Sequence, residues 1–276
     1  MTAPVEHTAA DLSYLASEGS GPLPIVLLHG IGSNAQSFAP LMQAFDARFP
    51  AFAWDAPGYG NSQPLLVEWP DAFDYAAVLG RLLAEIGITR CVLVGHSLGC
   101  LVAARFALVS PKCVAALVLI SPALGYGAEK GAPLPKGAAL RIMELDRLGP
   151  AKFADVRARN LVADPEAQSE VVRAVAEAMA AIKRPGYDQA VRLLAVGHIL
   201  DDAAKLDVPT TVIVGAQDRI TPPANCRRAF DALPGAAARH LYQEIPNAGH
   251  AVCQEHPATI ARAITEIVES KANAHA

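Results

Sequence analysis

The sequence has no Cys-x-x-Cys pair, no apolar run long enough to cross a bilayer and no excess of positive charge. Each absence closes off a class of function. Its five cysteines (Cys91, Cys100, Cys113, Cys226 and Cys253) are scattered and odd in number, a poor basis for a disulfide framework or a zinc knuckle. Three lie in or beside apolar runs, where buried free thiols are common, and a reducing cytoplasm is the expected compartment. The longest apolar runs, such as residues 113–120, are strand-sized and fall far short of the roughly 20 residues a membrane helix needs. Residues 1–10 show no basic segment leading into an apolar stretch, so no secretory signal is expected. A net charge of −4 offers no field for a phosphate backbone, and nucleic acid is not an expected partner. Charged residues are scarce, 18% against 52% hydrophobic, a balance that suits a large core and excludes a disordered chain.

At 276 residues the chain has room for one large domain carrying an insertion. Short apolar runs at 24–28, 51–54, 91–94, 114–120, 210–214 and 239–245 alternate with helical patterns. That rhythm predicts parallel strands joined by crossover helices, and near-continuous apolar strands are those covered on both faces. Residues 12–17 add an antiparallel edge strand. From about 122 to 207 the pattern changes to helices at 138–148, 166–182 and 187–200 with no convincing strand, opened by a linker containing Gly125, Gly127, Gly131, Pro133 and Pro135. The reading is a core of residues 1–122 and 208–276, with a helical cap of residues 123–207 closing over the sheet. The polar tail from Lys271 is expected to fray.

Gly95-His96-Ser97-Leu98-Gly99 follows one strand and opens a helical pattern. A serine in so tight a strand-to-helix turn takes strained backbone angles and needs small neighbours two residues to either side, which accounts for Gly95 and Gly99. Such a turn lifts the hydroxyl above the carboxyl edge of the sheet and sets the Leu98 N–H at the positive end of a helix. The plainer alternative makes Ser97 an ordinary helix N-cap.

A serine hydroxyl needs a base, and the base an orienting acid. Asp218, in Gly215-Ala-Gln-Asp218-Arg219, and His250, in Pro246-Asn-Ala-Gly249-His250, each follow a strand, in the order serine, acid, histidine. The alternatives are a turn or helix-start role for Asp218, which precedes Thr221-Pro222-Pro223, and a surface role for His250. The competing acid position after residue 120 holds no carboxylate, and Glu129 lies further off in the linker. Glu255 and His256 read as helix-start residues near the final helix.

The turn His29-Gly30-Ile31-Gly32-Ser33 allows a backbone N–H to point inward, with Ile31 the expected partner of Leu98 in holding an oxyanion. His29 reads as a residue that orients this loop. The same segment also spells Gly30-x-Gly32-x-x-Ala35 after a strand, with Asp55 ending the next one, the pattern of a dinucleotide site in an NAD-binding oxidoreductase. Asp55, however, opens the turn-dense Asp55-Ala-Pro-Gly-Tyr-Gly-Asn-Ser62, more typical of a structural corner, and the dinucleotide reading leaves Ser97, Asp218 and His250 unexplained.

Together His29-Gly30, the segment Asp55 to Ser62, the elbow at Ser97, Gly215-Ala-Gln-Asp-Arg219 and Ala248-Gly-His250 resemble the α/β-hydrolase superfamily along essentially the whole chain. The resemblance implies a mainly parallel eight-stranded sheet flanked by helices, with a helical cap between strands six and seven. It also implies a serine hydrolase working through an acyl-enzyme, with Ser97, Asp218 and His250 catalytic and with no cofactor and no metal. The closest-looking branch includes 3-oxoadipate enol-lactonases, small esterases, cofactor-free haloperoxidases and carbon–carbon bond hydrolases. Ala251 stands where meta-cleavage carbon–carbon hydrolases usually carry Trp after the histidine, and Ser97 where dehalogenases and epoxide hydrolases carry Asp. Both departures favour hydrolysis of an ester, lactone or thioester, and a mainly apolar cap lining would suit a small to medium apolar substrate. A carbon–carbon hydrolase, a cofactor-free haloperoxidase or dioxygenase, and a slow-turnover ligand receptor remain the alternatives. Ile142, Met143, Leu145, Leu161, Met179 and Leu194 are the candidate pocket lining. Oligomeric state has no signal in the sequence.

Overall fold

The computed structural model describes residues 3–21, 23–235 and 240–273. Eight strands form one sheet in the order β1-β2-β4-β3-β5-β6-β7-β8. They are β1 Val5–Ala9, β2 Leu12–Ser17, β3 Ile25–Leu28, β4 Ala51–Trp54, β5 Cys91–His96, β6 Val114–Ile120, β7 Thr210–Gly215 and β8 His240–Ile245. From β4 to β8 every neighbouring pair is parallel, while β1 and β2 run antiparallel at one edge. Residue 239, the expected start of the last strand, lies outside the described residues, as do residues 274–276 of the tail.

β1 has no counterpart among the apolar runs of the sequence. Its residues Val5 to Thr8 are exposed, so no core-facing alternation marks it. Its pairing with β2 passes through Ala10 and Asp11, both with positive φ (50° and 62°), a primed-type hairpin made without the Asn-Gly signal such turns usually show.

Among the described residues ten α-helices accompany the sheet: α1 Ala39–Ala44, α2 Ala72–Glu85, α3 Gly99–Val109, α4 Lys136–Ala158, α5 Ser169–Ala180, α6 Gly186–Val196, α7 Ile199–Ala203, α8 Pro223–Asp231, α9 Val252–Glu255 and α10 Pro257–Asn273. α2 starts at a reciprocal cap, in which the Asp71 carboxylate accepts from the Phe73 and Asp74 N–H groups and Asp74 accepts from the Asp71 N–H; this satisfies donors that every helix start leaves over. Alternate residues of the central strands point to opposite sides. Leu93, Leu117 and Val212 meet Leu79 of α2 and Leu101 of α3 on one face, while Val94, Val118 and Ile213 meet Leu41 of α1 and Ile264 of α10 on the other. Two buried layers therefore sandwich strands that have no polar face, the arrangement that continuous apolar runs demand. No helix of the described residues is long and apolar enough to cross a membrane.

Helices α4 to α7 occupy the segment between β6 and β7. α4 breaks at Gly149, whose φ of 70° and ψ of 164° leave the helical region, with Pro150 following, so the helical pattern ends at Leu148 as the sequence suggests and then restarts. The expected helix over 187–200 splits into α6 and α7 around Gly197 and His198. The Gly/Pro-rich opening is less free than its composition suggests. The Tyr126, Gly127 and Ala128 N–H groups donate to Leu194, Gly197 and Ala195 carbonyls, and the Ile199 N–H returns to Leu124 O at 2.9 Å.

One charged pair ties the insertion to the sheet's own helices. The Arg105 guanidinium of α3 holds both carboxylate oxygens of Asp202 in α7, at 2.7 and 3.0 Å, and the Asp202 side chain is only 4% exposed. Removing the cation strands a buried carboxylate. Arg105→Ala is expected to lower stability by about 3 kcal/mol, and Arg105→Met with Asp202→Leu to recover most of it, both read from urea-unfolding midpoints. A midpoint unmoved by Arg105→Ala would show that the pair carries no such weight.

Candidate active site

The turn at Ser97 is built by close backbone contact. β5 runs straight into it, Ser97 adopts a φ of 53°, and α3 starts two residues later. A Cβ at Gly95 would come within 2.7 Å of the Gly99 carbonyl oxygen, and one at Gly99 within 2.2 Å of Leu28 O. A side chain at Gly95 would push α3 away from the turn, and one at Gly99 would push it off the end of β3. Gly30 answers from the opposite side, where an added Cβ would lie 2.8 Å from Ser97 Cβ. The Ser97 N–H donates to Ile120 O at 2.9 Å and its carbonyl accepts from the Ala123 N–H at 3.2 Å, so the strained residue is gripped by β6 as well.

Asp218 and His250 meet directly. His250 Nδ1 lies 2.9 Å from Asp218 Oδ2, and both residues are buried. A carboxylate only accepts, so Nδ1 carries the proton and Nε2 keeps a free lone pair. Asp218 Oδ1 accepts from the Ile220 and Thr221 N–H groups at 2.8 and 2.9 Å, and the Thr221 hydroxyl stands 2.9 Å from Oδ2 and 3.2 Å from His250 Nδ1. Burial alone would push the Asp218 carboxyl up. The His250 ring, its hydrogen bond and the Thr221 N–H outweigh that and hold the carboxyl far below the usual range. Thr221 was legible in the sequence only as part of a helix start; its hydroxyl contact needed the fold. Ser97 and His250 line the same cavity, of about 250 Å³, together with Gly30, Ile31 and His96.

Two further histidines shape this region. His29 accepts from the Ala56 N–H at Nε2 (3.0 Å), so its Nδ1 donates to Gly30 O (2.8 Å); it orients the loop, as the sequence suggests. His96, which the sequence does not single out, packs against His250 with ring centroids 4.9 Å apart and the rings tilted by 45°, and its Nε2 donates to His250 O at 2.9 Å. Burial first, and then the adjacent His250 ring, push its pKa from 6.5 down to about 3, so it packs as a neutral ring.

The loop carrying His250 is also held from the insertion. The Ala251 N–H donates to Leu161 O at 2.8 Å. Glu255 accepts from the Gly249 N–H with one oxygen and from the Ala163 N–H with the other, each at 2.8 Å. Glu255 closes α9 and bridges two backbones, where the sequence suggested a helix start. His256 does precede α10, accepting from the Ile260 N–H.

Asp55 is consumed by the fold. Its Oδ2 accepts from the Ser13 hydroxyl at 2.7 Å and its Oδ1 from the Ala35 N–H at 2.8 Å, leaving no oxygen aimed at a ribose, and Ala35–Phe38 forms a single 3₁₀ turn rather than the long helix a dinucleotide site opens. Of the expected lining residues, Leu161 and Met179 reach the cavity. Leu145 and Leu194 are buried in the core, Ile142 packs against it, and Met143 is exposed. In their place α4 contributes Arg141, Glu144 and Arg157. The wall is therefore mixed: Ile31, Val156, Leu161, Val175, Met179 and Ile220 keep it apolar over much of its extent, while α4 adds charges that helix periodicity does not reveal, because it assigns a face but not which face meets a cavity. Among the described residues no three His, Cys, Asp or Glu cluster as metal ligands.

The sequence pattern of the α/β hydrolase family matches residues 25–263, and the chain belongs to that family. It is 28% identical to a pimeloyl-[acyl-carrier protein] methyl ester esterase of Chromobacterium violaceum over 94% of this chain and 99% of that protein. It is 26% identical to a 2-hydroxy-6-oxononadienedioate/2-hydroxy-6-oxononatrienedioate hydrolase of Pseudomonas putida over 91% and 89%. In fold it resembles the enol-lactonase from Burkholderia xenovorans LB400, with a TM-score of 0.83 at 18% identity, over 96% of this chain and all of that one.

Acid is expected to destabilise the protein through its buried rings. Below about pH 6.5 the unfolded chain protonates histidines that burial keeps neutral in the folded chain, His96 foremost and His29 with it. Stability is then complete above that pH and falls as pH drops toward 3. The His96 ring should remain neutral at pH 5 by nitrogen NMR, and the fall in urea midpoint from pH 7.5 to 5 should shrink in His96→Asn. A His96 ring that titrates near 6.5 in the folded protein would contradict this packing.

Proposed function

We propose that this protein is a serine hydrolase that cleaves a carboxylic ester, lactone or thioester of a small molecule through an acyl-enzyme, with Ser97, His250 and Asp218 as its triad. The single observation that carries the reading is the buried Asp218–His250 hydrogen bond beside a positive-φ serine that shares His250's cavity. His250 Nε2 takes the Ser97 proton as Oγ attacks the carbonyl carbon. Asp218 fixes the tautomer that makes this possible and offsets the charge of the imidazolium. The carbonyl oxygen becomes an oxyanion facing the Ile31 and Leu98 N–H groups; Leu98 caps the start of α3, where N–H groups have no partner within the helix. His250 returns its proton to the leaving alkoxide or thiolate, and the acyl group stays on Oγ. A water molecule, deprotonated by His250, repeats the attack and frees the acid. Helices α4 to α7 act as a cap that screens the intermediate from bulk water.

The two hydrolase relatives support the reaction class while differing in the bond that their names imply. Carbon–carbon cleavage is the second reading, favoured by the Pseudomonas putida relative. Ala251, in place of the usual Trp, weighs toward the ester.

Two measurements test the proposal. A fluorophosphonate probe should label Ser97, and Ser97→Ala or His250→Ala should lower ester turnover by about 10⁴–10⁶; a Ser97→Ala protein with nearly full activity sinks the assignment. Glu255→Ala removes the acceptor of both the Gly249 and Ala163 N–H groups. It should cost on the order of tenfold in kcat, with a smaller change in KM, because it loosens the histidine loop rather than the binding wall. An equal effect on both constants would contradict that role.

A further inference from the structure

The charged wall of the cavity is unbalanced. Arg141, Glu144 and Arg157 all face it. Glu144 is already committed to Arg157, whose Nη1 stands 2.5 Å from Glu144 Oε2 and whose guanidinium lies over the Phe153 ring at 5.1 Å. Arg141 has no such partner: among the described residues no carboxylate forms an ion pair with it. Its guanidinium reaches the Tyr187 phenol as a neutral hydrogen-bond partner, and the other groups that feel its charge are the Tyr59 phenol and Arg157; none of these is an anion. Two cations against one anion leave one positive charge in the wall of a cavity that also holds Ser97 and His250.

A half-buried guanidinium beside another cation is stabilised by an anion, and water supplies that stabilisation only while the cavity is empty. When a substrate fills the space, a neutral ester would strip water from Arg141 and return nothing, whereas a carboxylate would meet the planar fork with two charge-assisted hydrogen bonds. The rest of the surroundings fits the same anion. His96 and His29 are neutral donors within their own networks and add no charge, and Glu144 is neutralised by Arg157. One uncompensated positive charge matches a singly charged carboxylate better than a phosphate monoester, which would carry an excess negative charge into the wall.

We infer that Arg141 is a specificity residue that binds a carboxylate on the substrate, so that the molecule cleaved at Ser97 is a monoester (or the corresponding thioester) of a dicarboxylic acid rather than a neutral apolar ester. This rests on the serine-hydrolase reading for its chemistry but on the charge balance of α4 for its selectivity. The anion contacts the cap and the ester lies against Ser97, so the two ends of the substrate are read by different elements of the fold. The sorting arises because a site built around a charged hydrogen bond rejects the analogue that lacks it.

The experiment compares mono-p-nitrophenyl adipate with its neutral isostere p-nitrophenyl 6-methylheptanoate in the full-length protein. The wild type should favour the anionic ester by about tenfold or more in kcat/KM. That ratio should collapse by about tenfold in Arg141→Gln and recover in part in Arg141→Lys, which keeps the charge but loses the fork. A wild-type preference for the neutral ester, or a ratio untouched by Arg141→Gln, overturns the inference. Binding of free adipate to Ser97→Ala, by calorimetry, separates the two claims. If neither ester turns over while adipate binds and Arg141→Gln abolishes that binding, the hydrolase reading fails and the carboxylate site stands. If esters turn over without charge preference and adipate does not bind, the hydrolase reading stands and the carboxylate site fails.

Discussion

The cavity rests on places where backbone meets backbone without a side chain between. Gly99 sits against Leu28 O, Gly30 against Ser97, and Gly215 against the Ala248 and Gly249 carbonyls, where an added Cβ would come within 2.2 to 2.8 Å of its neighbour. These contacts join the carboxyl ends of β3, β5 and β7 to the turns that leave them. They fix where Ser97, Asp218 and His250 can stand before any polar interaction acts. Close packing of this kind has few alternative arrangements, because a protein interior yields in discrete steps rather than by smooth deformation. The hydrogen bonds of the site therefore refine a geometry that sterics have already chosen.

Charge is distributed with a similar economy. Asp218 has its acceptor positions filled by two N–H groups, a hydroxyl and a ring N–H, which keeps a carboxylate ionised in a place that would otherwise neutralise it. The two supporting histidines are neutral and serve as packing bodies, His29 with both nitrogens on backbone partners and His96 with Nε2 on the His250 carbonyl. On the α4 side, by contrast, the arrangement leaves one guanidinium without a counter-charge. The sheet side of the cavity is electrostatically satisfied and the α4 side is open.

Much of the core was legible because its signals are local. Continuous apolar runs marked β3 to β8, and Gly95, Ser97 and Gly99 announced a strand-to-helix turn that packing explains atom by atom. Asp218 and His250 were legible by chain order and by their place after strands. Asp55 could be read as a corner because the turn residues after it leave no helix for a dinucleotide. β1 was not legible, since an exposed strand carries no apolar alternation. Arg141, Glu144 and Arg157 were missed for a different reason. A helix pattern separates a buried stripe from the remainder, but a polar residue turned toward a cavity looks the same in sequence as one turned toward water. Glu255 and Thr221 depend on partners far away in sequence, at Ala163 and His250, and no local pattern encodes them.

The stems of the insertion bear on how the family to which this chain belongs can vary. An added Cβ at Gly125 would lie 1.9 Å from the Gly197 carbonyl oxygen, and the Leu124, Tyr126, Gly127 and Ala128 backbone is stitched to Leu194, Ala195, Gly197 and Ile199 by hydrogen bonds. Entry and exit thus form a closed neck, and the entropy of bringing the two ends together is met at the neck whatever lies beyond it. Segments past this collar can lengthen or shorten at little cost in closure entropy, except around Leu161 and Ala163, whose backbones also hold the loop of His250; the freedom to vary lies in the stretches between those two anchorages.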